Sequence, residues 1–309
     1  MKAALVFPGQ GSQAVGMGEA LARDFPAARE ALAEASAAVG FDLASLCFTG
    51  PPDKLALTQF TQPCVLAASI AAFRVMQTQT GIAPALAAGH SLGEYSALVA
   101  AGALPLAVAA LAVHRRGQWM QEAAPAGQGA MAAVMGLDPG ALADVCREAA
   151  QGQVVVPAND NAPGQVVVSG HAEAVERACA LVKAKGGKCR KLNVSGPFHT
   201  PLMEPAAVKM EALLAGIAFH APDFPVLANY DAAPYHGPGE IADRLRRQIV
   251  SPVRWRETVR RMADDGVELF IEVGPGTVLA GLITRTVPGA KVLPMNDPQH
   301  LDAIAKALA

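Results

Sequence analysis

The feature that most constrains this chain is the pentapeptide Gly89-His90-Ser91-Leu92-Gly93, set between a short apolar run at residues 82–88 and a helical pattern from Glu94 onward. A strand that turns directly into a helix leaves no room for side chains beside the reversal, and glycine flanks the turn on both sides. Such a nucleophile elbow pushes the central serine hydroxyl out at the carboxyl end of its strand. The helix after it points its positive end at the serine. A G-x-S-x-G spacing also arises by chance in a chain with 29 glycines; the strand before it and the helix after it give it meaning. The chain opens in a related way, with the buried-strand run Ala3-Ala4-Leu5-Val6-Phe7 closed by the loop Pro8-Gly9-Gln10-Gly11-Ser12-Gln13. A strand, loop and helix in that order place the chain in the α/β class.

Further along, helical spacing covers residues 15–40 and 67–76, and short apolar runs at residues 225–229 and 269–273 read as strands. Between them the texture changes. Residues 130–135 form a strand, 139–149 a helix, 154–157 and 165–169 two strands separated by the polar loop 159–164, 172–185 a helix and 189–194 a last strand. That order, βαββαβ, is the split ferredoxin-like unit. The expected organisation is a catalytic core of residues 1–128 and 195–309 interrupted by an inserted subdomain at 129–194. Helices follow at 240–247, 254–263 and 278–285.

A chain of 309 residues, 52% apolar, can bury a large core and exceeds what one core comfortably organises, which agrees with an insertion. Its 25 basic against 27 acidic residues argue against nucleic acid as a partner. The longest uncharged run, residues 96–113, carries Gly102, Pro105 and many alanines, and reads as two buried helical pieces rather than a membrane span. The five apolar residues before Pro8 fall short of a secretory signal, so the cytoplasm is the expected compartment. Five cysteines (Cys47, Cys64, Cys146, Cys179 and Cys189) with no short paired spacing fit reduced, buried thiols better than disulfides or a zinc site.

A serine hydroxyl needs a base, and the chain has seven histidines. His90 adjoins Ser91 in the turn, where its ring diverges from the hydroxyl. His114 lies on a buried helix and His171 opens one; His220, His236 and His300 sit near element ends. His199 stands in the rigid loop Ser195-Gly196-Pro197-Phe198-His199-Thr200-Pro201, after the last strand of the insertion. Position alone leaves the choice among them open, since a lone histidine is usually structural or a surface residue.

Five segments, Phe7-Pro8-Gly9-Gln10-Gly11-Ser12-Gln13, Gly89-His90-Ser91-Leu92-Gly93-Glu94-Tyr95, Arg116-Gly117-x-x-Met120-Gln121, Phe198-His199-x-Pro201-Leu202-Met203 and Glu272-Val273-Gly274-Pro275-Gly276-x-Val278-Leu279, follow the order and spacing of malonyl-CoA:acyl-carrier-protein transacylases. The chain resembles that family from end to end. The resemblance implies an α/β-hydrolase-like core with a mostly parallel sheet and a ferredoxin-like insertion, and it selects His199 as the base. It implies ping-pong transfer of malonyl from malonyl-CoA through Ser91 to the phosphopantetheine thiol of acyl carrier protein, for fatty-acid synthesis and with no permanent cofactor or metal.

The resemblance also implies an oxyanion hole of the backbone N–H groups of Gln10 and Leu92, a malonyl carboxylate paired with Arg116, and His199 oriented by the backbone carbonyl of Gln248. Phe198 resembles the bulky residue of malonyl-selective relatives and implies that branched acyl groups are disfavoured. Acyl carrier proteins are acidic, and two basic clusters fit one: Lys183, Lys185, Lys188, Arg190 and Lys191 on the insertion, and Arg244, Arg246 and Arg247 on a helix. The bland alternative for each is a solvated face. Rival readings are an enzyme serving a polyketide or malonate-decarboxylase carrier, a serine esterase, and a scaffold with a dead site. The esterase would need an acid partner, and a His-Gly-Gly-Gly oxyanion motif is absent from the sequence.

Overall fold

The computed structural model describes every residue except Ala126, Asn193, Ser195 and Ala309. Ser195, at the head of the loop expected before His199, therefore lies outside the described residues. Among the described residues nine strands form two sheets: β1 (Ala3–Phe7), β2 (Leu86–Gly89), β3 (Gly129–Met135), β4 (Val155–Ala162), β5 (Gln165–His171), β6 (Lys188–Lys191), β7 (Val226–Leu227), β8 (Leu269–Val273) and β9 (Lys291–Met295). The larger sheet runs β7-β2-β1-β8-β9 with every pairing parallel, and the smaller runs β4-β5-β3-β6 with every pairing antiparallel. The chain is thus α/β as expected, and its small sheet has the βαββαβ order.

The large sheet is covered on both faces, which is why β1 reads as an unbroken apolar run. Ala3, Leu5 and Phe7 face the helix Thr58–Thr80 and its neighbours, while Ala4 and Val6 face Trp255, Val259 and Ile283. The small sheet packs one face on the helices Pro139–Ala150 and Ala172–Ala184 through Ala132, Val134, Val168 and their neighbours. Its other face, with Met131 and Val167, joins the main core.

Several local expectations change. The helix expected over residues 15–40 is two, Glu19–Asp24 and Pro26–Val39, because Pro26 holds Phe25 in an extended conformation with φ −127°. The helix over residues 67–76 extends to Thr58–Thr80 with Pro63 inside it. Proline cannot donate to the carbonyl of Gln59, and His114 Nδ1 takes that place at 2.8 Å. The polar stretch 159–164 is not a loop: β4 continues through it to Ala162 with register shifts, leaving Pro163 and Gly164 as the turn. The run at 225–229 keeps only β7 as strand, because Ala228 and Asn229 turn away to other partners.

The uncharged run at residues 96–113 is divided between the helices Gly93–Ala100 and Leu106–Glu122, and no single helix among the described residues is long and apolar enough to cross a membrane. Cys47, Cys64 and Cys146 are free and buried. Cys179 and Cys189, expected as thiols, are joined in a disulfide: the helix Ala172–Ala184 packs on β6 and brings their Cα atoms to 5.3 Å, a distance a disulfide spans. Edge strand β9 and the terminal helix Leu301–Leu308 carry no strong signal; Lys291 and Pro294 blunt the strand pattern.

Candidate active site

β1 and β2 are neighbours, so the loops at their carboxyl ends meet. Ser91 sits in the elbow after β2 with φ 54°, a left-handed conformation that a side chain rarely adopts. A Cβ on Gly89 would stand 1.9 Å from Gly93, and one on Gly93 would stand 2.2 Å from the carbonyl oxygen of Phe7. Only glycine fits at either flank. The strained turn is held from both sides: Ser91 N–H donates to Asn229 Oδ1 at 2.6 Å, Asn229 Nδ2 donates to the Gly89 carbonyl at 2.6 Å, and Gln248 Nε2 donates to the Ser91 carbonyl at 2.9 Å.

The Ser91 hydroxyl meets His199 Nε2 at 2.8 Å, and His199 Nδ1 meets the main-chain oxygen of Gln248 at 2.9 Å. A carbonyl only accepts, so the proton lies on Nδ1 and Nε2 is free to take the proton of Ser91. Burial, followed by the nearby Arg116 cation, pulls the His199 pKa down to about 3. The imidazole is neutral across the physiological range, with its Nε2 lone pair open to the Ser91 hydroxyl.

Arg116, 1% exposed, comes from the helix Leu106–Glu122, whereas its neighbour Arg115 faces solvent. Gly117 explains how the arginine arrives: a Cβ there would lie 2.6 Å from Gln59 Cα, so glycine lets this helix touch the start of Thr58–Thr80. The guanidinium donates to Gln62 Oε1 at 2.7 Å, Gln248 Oε1 at 2.8 Å and Ser91 Oγ at 3.1 Å. These acceptors are all neutral. A buried cation held, among the described residues, by neutral oxygens alone can pair with a carboxylate brought to Ser91.

One cavity of about 450 Å³ collects these groups, with Gln10, Ser91, Leu92, Arg116 and His199 in its wall. Phe198, Met131, Val167 and Leu192 add an apolar side. Gln248 stands behind it, bonded to Ser91, Arg116 and His199. The six expected site residues are therefore brought together. Of the remaining histidines only His90 lines the cavity, and its Nε2 is engaged by Asn161 Oδ1 at 2.8 Å. Sequence reasoning did not single out Gln62, Glu94 or Asn229 as site residues. Asn229 has a weak signal, a polar side chain just past a strand end, and Glu94 another, a charge inside an apolar helix start.

The two basic clusters differ. Arg244 is buried and bonded to Asp231, Glu240 and two main-chain oxygens; Arg246 pairs with Glu204 and Glu211, and Arg247 with Asp243. On that helix the basic side chains are paired with acidic neighbours. Lys183, Lys185, Lys188, Arg190 and Lys191 are exposed, and among the described residues Lys191 alone of the five is in an ion pair, with Glu176 at 3.6 Å.

Comparison with known proteins gives a consistent result. The family described as acyl transferase domain matches residues 4–305. The chain is 52% identical to the malonyl CoA-acyl carrier protein transacylase of Escherichia coli K12, over 97% of each chain. The solved transacylase of the same name from Coxiella burnetii superposes with a TM-score of 0.98 at 43% identity, covering 100% of this chain and 98% of that one. A malonyl-transacylase solved in complex with a type II polyketide acyl-carrier protein superposes with a TM-score of 0.97 at 47% identity, over 99% and 100% of the two chains.

Proposed function

This chain belongs to the acyl transferase domain family, among the malonyl-CoA–acyl carrier protein transacylases, and from that premise we propose that it moves malonyl from malonyl-CoA to the phosphopantetheine thiol of holo acyl carrier protein. The observation that carries the reading is that Ser91 Oγ lies 2.8 Å from a neutral histidine base and 3.1 Å from a buried cation without a carboxylate partner. Ser91 attacks the thioester carbonyl as His199 Nε2 takes its proton. The tetrahedral oxyanion is held by the backbone N–H groups of Gln10 and Leu92, whose residues both line the cavity beside Ser91. Coenzyme A leaves as a thiol with the proton from His199, and malonyl remains as an ester on Ser91.

In the second half His199 takes the proton of the phosphopantetheine thiol, whose sulfur attacks the ester; collapse returns the proton to Ser91. Arg116 pairs with the free carboxylate in both halves. Gln248 orients the imidazole through its main-chain oxygen, in the place of the acid of a hydrolase triad. Phe198 narrows the cavity beside His199 against branched acyl groups. Malonyl-CoA is a substrate and the phosphopantetheine belongs to the acceptor, so the chain's own residues carry the chemistry.

The same reading divides the chain into a core of residues 1–128 and 195–309 and an insertion at 129–194, and places it in the cytoplasm with its CoA substrate. The acceptor is the carrier protein of fatty-acid synthesis; likeness to a transacylase solved with a polyketide carrier supports that acceptor as the second reading. Intact mass spectrometry tests the chemistry. Malonyl-CoA should leave a malonyl adduct on the native chain, absent from Ser91→Ala and discharged by holo acyl carrier protein. An adduct that persists in Ser91→Ala overturns the mechanism.

A further inference from the structure

Glu94 lies in the first turn of the helix Gly93–Ala100 with its side chain fully buried, and no step of acyl transfer uses it. Three donors converge on its carboxylate: the Tyr235 hydroxyl on Oε1, and on Oε2 the Asn229 N–H at 2.9 Å and Gln248 Nε2 at 2.7 Å. Asn229 and Gln248 are the residues that hold the backbone of the elbow. Burial pushes the Glu94 pKa up, and the three donors oppose that rise.

A side-chain amide has one donor end and one acceptor end, so fixing either end fixes the other. With Gln248 Nε2 held between Glu94 Oε2 and the Ser91 carbonyl, Oε1 faces Arg116 and accepts from it at 2.8 Å. Reversing the amide would press an NH2 group against the guanidinium and set its oxygen against two other oxygens. We propose that Glu94 is a positioning residue: it sets the direction of the Gln248 amide and thereby holds the Arg116 guanidinium in place for the malonyl carboxylate. The assignment rests on the reading of Arg116 as the carboxylate receptor.

Malonyl and acetyl transfer from their CoA thioesters, measured side by side, separate this role from a merely structural one. Glu94→Met keeps the length and removes the acceptors. It should lower kcat/KM for malonyl-CoA by about tenfold or more, mainly through KM, and affect acetyl-CoA much less. Glu94→Gln restores function to within about threefold, because its oxygen accepts from Asn229 and Gln248 while its NH2 group donates to the Tyr235 hydroxyl. Gln248→Met keeps the main-chain oxygen that orients His199 but drops the bond to the Ser91 carbonyl, so both transfers should fall, malonyl clearly further than acetyl, with the double variant no worse than Gln248→Met alone.

Equal losses for both acyl groups, a Glu94→Gln variant as impaired as Glu94→Met, or additive losses overturn the proposal. Should Glu94→Met fail to fold, Gln248→Met and Glu94→Gln decide: a malonyl-selective loss in the first with near-native selectivity in the second supports the role, and any other pattern removes it. Arg116→Ala in the same assay tells the two readings apart. If it harms both acyl groups alike, the Arg116 reading fails and takes this one with it; if it is malonyl-selective and Glu94→Met is not, only the role of Glu94 fails.

Discussion

Arg116 is buried with three neutral acceptors, a costly arrangement for a guanidinium unless a carboxylate completes it. Removing it should therefore act on one substrate and not the other. Arg116→Ala is expected to lower kcat/KM for malonyl-CoA roughly 10- to 100-fold while sparing or raising acetyl transfer, which lacks the charge to pair. Equal loss in both progress curves would refute the selector role. His199 carries a second expectation. A histidine at its ordinary pKa loses its free Nε2 as pH falls through about 6.5, but with a pKa near 3 the His199 base persists. The rate of Ser91 acylation should accordingly stay level from pH 8 to about 5, and a half-loss near pH 6.5 in a single-turnover profile would contradict it. The linked stability has a definite sign: below pH 6.5 the unfolded chain binds a proton at this position that the folded chain refuses, so this residue lowers stability as pH falls from there toward 3. Ser91 was legible in the sequence because two glycines mark its turn. His199 was not legible from position alone, and Glu94 and Asn229 were missed because burial of a lone polar side chain depends on contacts about 135 residues apart.

Elements whose form is set by neighbours in sequence were read well, and those set by distant partners were not. β1, β8 and the helix Pro139–Ala150 follow from apolar runs and capping, with Asp138 Oδ1 accepting from Ala141 N–H at 2.9 Å. The polar end of β4 has the composition of a loop, and its Asn and Asp side chains find uses that no local pattern records: Asn161 bonds His90, and Asp160 pairs with Arg256 at 2.7 Å. Pro63 ordinarily argues against a helix interior, and its tolerance depends on His114 supplying the missing donor from another helix. The elbow is the element on which a single methyl should tell most. In Gly93→Ala the new Cβ meets two main-chain oxygens, of Phe7 at 2.2 Å and Pro8 at 2.8 Å, neither of which can rotate away. The expected result is destabilisation by roughly 1–3 kcal/mol or more together with loss of the malonyl adduct. Thermal melting beside intact mass reads both, and a variant that melts and acylates like the native chain would show that the elbow can relax.

The cavity lies where the two sheets approach, with Gln10 and Leu92 on the large-sheet side and Met131, Val167 and Leu192 on the other. One edge of the small sheet is fastened to the rest of the molecule: Val253 exchanges main-chain bonds of 2.9 Å with Ala158 and Asp160 of β4. The opposite edge is β6, an exposed strand bearing Lys188, Arg190 and Lys191, and the chain continues from it directly to Leu192 in the cavity wall. Positive charge at that edge, unlike the neutralised arginines of the helix Ile241–Val250, is available to an acidic protein that must send a long thiol arm to Ser91. Sequence could mark both clusters as basic, but only the fold separates the paired one from the open one. Charge reversal at Lys188 and Arg190 should thus raise KM for acyl carrier protein several-fold and leave KM for malonyl-CoA and the adduct yield unchanged. Because such steering is screened over about 8–10 Å at ordinary ionic strength, the difference between native and reversed chains should shrink as salt is raised. Steady-state kinetics against each substrate at two salt concentrations measures both effects, and an unchanged carrier KM at low salt would place docking on another face.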